Sequence, residues 1–131
     1  MEMKIVFPDG KKVNAIYKNF TIKTDQPKEN GGNDTAPEPF SLFISSIGTC
    51  AGFYILSFCN QRKIETNNLK ILLKTEKDEK SETINKIFIE LIAPETFPDR
   101  YKNAVIKAAN LCTVKKHLEK PPKIEVSFKK Q

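Results

Sequence analysis

Residues 39–61 read PFSLFISSIGTCAGFYILSFCNQ, a run without a single charged side chain and the most apolar segment of the sequence. Proline at its start and the polar Asn60-Gln61-Arg62-Lys63 at its end predict a helix over 39–61. Phe40, Leu42, Phe43, Ile44, Ile47, Phe53, Tyr54, Ile55, Leu56 and Phe58 fall on nearly every side of such a helix, so nearly every side must be covered. A chain of 131 residues seldom buries a helix that completely on its own, which implies a partner subunit. The run is long enough to cross a bilayer, but Ser41, Ser45, Ser46, Gly48, Thr49, Gly52 and Ser57 dilute it and no second span accompanies it. A buried helix of a soluble protein, with no membrane partner, is the expectation.

On the N-terminal side, Met3-Ile5-Phe7, Val13-Ala15-Tyr17 and Phe20-Ile22-Thr24 alternate apolar and polar faces as short strands do, with Asp9-Gly10 as a hairpin turn. From Asp25 to Pro37 the composition turns to Pro, Lys, Glu, Asn and Gly31-Gly32, a loop with too little core before it to be a domain linker. On the C-terminal side, Leu69-Ile71-Leu73 and Ile87-Ile89-Leu91 alternate around a charged turn at Lys77–Lys80. Asp99 can cap a helix whose apolar set is Tyr101, Ala104, Val105, Ala108, Ala109 and Cys112. Thr113–Lys120 continues as a short helix until Pro121-Pro122, and Ile124-Val126-Phe128 reads as a closing strand. The order is βββ-α-ββ-αα-β, an α+β fold in a single domain over 1–131. No basic, apolar, small-residue leader pattern opens the chain, so the expected location is cytoplasmic.

The formal charge is +6, yet of 22 cationic side chains only Arg62 and Arg100 are arginines. Lysine scattered among 16 acidic residues describes a solvated surface and argues against a nucleic-acid site. Three cysteines, Cys50, Cys59 and Cys112, match neither a secreted disulfide framework nor a Cys-x-x-Cys zinc pattern. One histidine, His117, excludes a multi-histidine metal site, and no phosphate-loop or dinucleotide motif calls for a cofactor.

Cys50 lies mid-helix in Ser45-Ser46-Ile47-Gly48-Thr49-Cys50-Ala51-Gly52, where Gly48 and Gly52 permit a close approach at a cost in helix propensity. A reactive thiol and an inert one beside a tight helix crossing both fit this context. Cys59, nine residues on, faces away from Cys50. Cys112 stands at a break between helices, where the N–H groups of a new helix and Lys115 and Lys116 could lower its pKa, and a purely structural thiol fits the local sequence equally well. Glu38 precedes the long helix, where a carboxylate stabilises the N-terminus.

Three segments together resemble the OsmC/Ohr family of osmotically induced and organic-hydroperoxide-resistance proteins, over essentially the full length. They are Gly31-Gly32 through Ala36-Pro37-Glu38-Pro39, Ser45 to Cys50, and Ala108-Ala109-Asn110-Leu111-Cys112-Thr113-Val114. The resemblance implies an intertwined homodimer with central helices between sheets. It also implies a catalytic pair: Cys50 attacks a hydroperoxide and becomes a sulfenic acid, and Cys112 resolves it as a disulfide that a dithiol reduces. Two positions depart from the strongly active members. The glutamate expected after Pro39 is replaced by Phe40, with Glu38 two residues early, and no arginine precedes Arg62, leaving Lys18 or Lys23 as supporting cations. The alternative reading is a non-catalytic module that holds a small apolar or acyl ligand.

Overall fold

The charge-free stretch forms helix α1, Pro39–Gln61, with both limits as expected. In the computed structural model, which describes residues 1–131, the chain divides into two compact units, Met1–Ser45 and Ser46–Gln131, and α1 runs through the boundary.

Met1–Ser45 carries an antiparallel sheet in the order β1 (Lys4–Val6), β2 (Asn14–Tyr17), β3 (Phe20–Ile22). Gly10 takes a φ of 54° in the first turn, where Lys12 N–H donates to Asp9 O. None of these strands holds a buried residue, and Phe7 and Phe20 are largely exposed. The order of this unit comes instead from Asp25, which is 1 % exposed. Its carboxylate accepts from the N–H groups of Gln26, Asn33 and Thr35 and from the Thr35 hydroxyl, so one side chain fixes both ends of the polar loop. Gly32 lies so close under this loop that a Cβ there would sit 1.9 Å from Gln26 O.

In Ser46–Gln131, α1 buries one stripe, Ile47, Ala51, Ile55, Phe58 and Cys59, spaced three and four residues apart. Beneath it run β4 (Lys70–Lys77) and β5 (Ile84–Ile92), an antiparallel pair in which Ile71 opposes Leu91 and Leu73 opposes Ile89. The glycines of α1 let the helix settle on this hairpin: a Cβ at Gly48 would lie 3.2 Å from Leu73 Cδ1, and one at Gly52 3.3 Å from Ile71 Cδ1. The core is Ile55, Phe58, Cys59, Phe97 and Val105; burying each large side chain there contributes about 1.5–3 kcal/mol. Arg62 closes the end of α1, its guanidinium stacked 3.6 Å from the Phe58 ring centroid while Nη1 donates to Phe58 O at 3.2 Å.

A 3₁₀ turn at Asp99–Tyr101 leads into α2 (Lys102–Ala109), and α3 (Thr113–Glu119) follows after a break. Asp99 does not cap the helix as expected; its carboxylate pairs with Lys102 at 2.9 Å, because the tight turn starts at Asp99 itself. The α+β class with three helices stands, but the closing strand is corrected. Residues 121–131 join no ladder, since β4 and β5 pair only with each other in the single chain. Lys123 and Glu125 pair at 2.7 Å on one side of this extended segment, while Ile124, Val126 and Phe128 are left more than four-fifths exposed.

Candidate active site

Cys50 projects from the middle of α1 and meets the turn that joins α2 to α3. The N–H groups of Val114 and Thr113 and the Cys112 thiol lie close to its sulfur, and each favours the charged form. Burial is the largest single influence and pushes the Cys50 thiol up, but these three groups together outweigh it, and its pKa falls below the ordinary cysteine range. Cys112 is 1 % exposed and moves the opposite way: burial raises its pKa, and the neighbouring Cys50 raises it further. The Cys112 sulfur also caps α3, accepting from Lys115 N–H at 3.4 Å, and its thiol reaches Ile47 O at 3.9 Å.

The sequence reading placed the helix start and its lysines on Cys112; the structure keeps the helix start there but not Lys115, and the pKa of Cys112 rises instead of falling. The Lys115 and Val114 amides of α3 do act on Cys112 in the lowering direction, but burial outweighs them, whereas on Cys50 the Val114 and Thr113 amides with the Cys112 thiol prevail. Lys115 turns away, its Nζ 2.6 Å from Asn110 Oδ1 and 3.8 Å from Glu119 Oε1. One half-buried residue that sequence reasoning missed, Tyr54, bonds through its hydroxyl to Thr113 Oγ1 at 3.1 Å. Its position four residues after Cys50 on the same helix face was the available signal.

The remaining candidates take local partners. Glu38 accepts from the Ser41 hydroxyl, which lowers its pKa and fastens the first turn of α1. Lys18, at φ 52° in the β2–β3 turn, lies 5.1 Å over the Tyr17 ring, and Lys23 is exposed beside Thr24. Cys59 is fully buried in the core, facing away from Cys50 as its spacing requires, and burial raises its pKa. His117 Nδ1 sits 2.7 Å from Thr113 O on the exposed side of α3. Beside Cys112 an apolar cavity of about 290 Å³ opens between Ile47 and Ile55 of α1, Ile87 and Ile89 of β5, and Leu118 of α3.

Residues 31–127 match the model of the OsmC-like protein family, the greater part of the chain. This chain belongs to the OsmC-like family. Among solved structures, the OsmC-like fold is shared by a Psychrobacter arcticus protein assigned to the osmotic-stress and detoxification response. That protein is 20 % identical, with 87 % of this chain and 85 % of that one covered at a TM-score of 0.72. An OsmC-like protein from Mycoplasma pneumoniae gives 0.66 at 16 % identity, with 90 % and 86 % covered. An organic hydroperoxide resistance protein OsmC from Legionella pneumophila gives 0.56 at 18 % identity, with 90 % and 89 % covered. No curated sequence matches the chain.

Proposed function

We propose that this OsmC-like protein is a thiol-dependent redox protein that reduces organic hydroperoxides, with Cys50 as the attacking sulfur and Cys112 as the resolving one. The observation that carries the reading is that Cys112 and the Thr113 and Val114 amides cluster at the Cys50 sulfur and lower its pKa. A thiolate is the nucleophile in such chemistry, and among the three cysteines only Cys50 has its pKa lowered.

In this reading the Cys50 thiolate attacks the distal peroxide oxygen. The O–O bond breaks, the alkoxide takes a proton and leaves as the alcohol, and Cys50 becomes a sulfenic acid. Cys112, already in contact, then attacks the sulfenic sulfur as its thiolate; water leaves, the disulfide forms, and an external dithiol returns both sulfurs to thiols. Membership of the OsmC-like family supports this redox reading, as does the hydroperoxide resistance for which the Legionella structure is named. The apolar cavity beside Cys112 suits the hydrocarbon part of an organic hydroperoxide better than hydrogen peroxide.

The protein acts as a homodimer in this account. Phe53 and Leu56 on the outer side of α1, Phe20 on β3, and Ile124, Val126 and Phe128 of the tail are exposed in the single chain, more apolar side chain than a lone subunit leaves bare without purpose. The test is steady-state consumption of cumene hydroperoxide with excess dithiothreitol. Turnover in the parent that disappears in Cys50→Ser is expected. Equal rates in both would overturn the redox reading, and no turnover in the parent would favour the cavity as a binding site for a small apolar ligand.

A further inference from the structure

The start of α3 has a weak cap for the demand placed on it. Its cap residue, Cys112, offers a sulfur acceptor at 3.4 Å from Lys115 N–H, where helices ordinarily use an oxygen of Ser, Thr, Asp or Asn. A helix of seven residues is also marginal by itself and frays from its first turn. Yet the Thr113 and Val114 N–H groups on the Cys50 sulfur belong to that first turn. They can stabilise a thiolate only while the turn is held in place against α1.

The tie that holds it comes from α1. Tyr54 stands one turn after Cys50 on the same helix face, and its hydroxyl meets Thr113 Oγ1 at 3.1 Å, so the residue that presents an N–H to Cys50 is fastened by its side chain to the helix that carries Cys50. On its other side, the Thr113 carbonyl is engaged by the His117 ring at 2.7 Å. We propose that Tyr54 is a positioning residue: through its bond to Thr113 it holds the 113–114 amides on Cys50 and thereby keeps that sulfur reactive. The inference rests on the assignment of Cys50 as the attacking sulfur, but it concerns the thiolate itself and can be read without any peroxide.

Lys115 is directed away from this turn, to Asn110 and Glu119, and the groups that favour the charged form of Cys50 are the amide pair and the Cys112 thiol. Removing the Tyr54 hydroxyl takes away one atom, leaves the ring packed, and frees the turn to fray. The thiolate then loses part of its hydrogen bonding while the fold is kept.

The experiment is the pH dependence of alkylation at Cys50, followed at the peptide level by mass spectrometry with iodoacetamide as the probe, in the parent, Tyr54→Phe, Thr113→Val and the double variant. Tyr54→Phe is expected to move the Cys50 midpoint up by about half a pH unit, a roughly threefold slower reaction at neutral pH. Thr113→Val is expected to do the same, the double variant to add little to either, and Thr113→Ser to retain the parent profile. An unchanged Cys50 midpoint in both Tyr54→Phe and Thr113→Val, in variants with the parent's circular dichroism, overturns the inference. So does a double variant whose shift is the sum of the two singles. Peroxide turnover measured on the same samples separates the two ideas: a midpoint that shifts in a protein without turnover upholds the positioning role and removes the peroxidase reading.

Discussion

Cys50 and Cys112 are neighbours whose titrations move apart: burial and then Cys50 raise the pKa of Cys112, while against its own burial the Val114 amide, the Cys112 thiol and the Thr113 amide lower that of Cys50. One sulfur thereby becomes the better nucleophile while its partner stays protonated beside it, the division of labour that an attacking and a resolving thiol require. Removing the Cys112 thiol takes one of the three stabilising groups from the Cys50 thiolate. Cys112→Ala is expected to shift the Cys50 alkylation midpoint upward and slow its reaction at neutral pH roughly threefold. Peptide-level labelling reads this directly, and an unchanged or lowered midpoint contradicts it.

Gly48 and Gly52 owe their place to the ends of two flexible side chains, Leu73 Cδ1 and Ile71 Cδ1, at 3.2 and 3.3 Å from where a Cβ would stand. A few tenths of an ångström of relaxation costs little, and alanine regains about 1 kcal/mol of helix propensity. Gly48→Ala should therefore stay within about 1 kcal/mol of the parent in urea unfolding. Gly48→Leu, which must displace Leu73 and lift α1 from the hairpin, should lose roughly 1–3 kcal/mol. Equal stability of the two variants would show that the helix does not rest on β4 at this point.

The Asp25 carboxyl, held by the Thr35 hydroxyl and by the N–H groups of Gln26, Thr35 and Asn33, has its pKa lowered to about 2. The unfolded chain, whose carboxyl titrates near the ordinary value of about 4, takes up the proton first as the solution is acidified. The stability that Asp25 contributes is complete above about pH 4 and drains away as the pH falls from about 4 to about 2. Thermal unfolding should show a gap in Tm between the parent and Asp25→Asn that is constant above pH 5 and closes across this window. A gap that does not change with pH contradicts the assignment.

Strand-like alternation in Ile124, Val126 and Phe128, exposed beyond Pro121-Pro122, has a use only if another chain supplies a sheet edge or an apolar face. Deleting residues 123–131 is expected to shift the protein from dimer towards monomer in analytical ultracentrifugation. A parent that sediments as a monomer at micromolar concentration contradicts the dimeric account.

Most of the fold was legible because its signals are local. A charge-free run between a proline and a polar cluster set the limits of α1, and two-residue alternation placed β1 to β3 within about two residues but left β4 and β5 three to four residues short at the turn that joins them. The final strand was misjudged because alternation reports a strand's faces and not its partner, and residues 121–131 pair with no strand of this chain. The Cys50–Cys112 pair came from the resemblance, not from spacing: 62 positions separate the two residues, and only packing of α1 against the α2–α3 turn brings them into contact. The same cause misled the expectation about pKa. Composition showed lysines and a helix start near Cys112, but how deeply each thiol is buried, which decides the net shift, is set by the packing of the helices. Asp25 was missed because a carboxylate in a polar loop looks ordinary until its partners are known, and Tyr54 because its one mark, a place one turn after Cys50, does not reveal its partner Thr113.

The account's central claim is that Cys50 and Cys112 form one redox unit. Its most direct test is a single turnover: reduced protein mixed with one equivalent of cumene hydroperoxide, quenched with alkylating agent and mapped by mass spectrometry. The account predicts a disulfide linking the peptides of Cys50 and Cys112, formed in step with cumyl alcohol, with Cys59 left as a thiol. Peroxide that persists alongside two free thiols, or a disulfide involving Cys59, would contradict it.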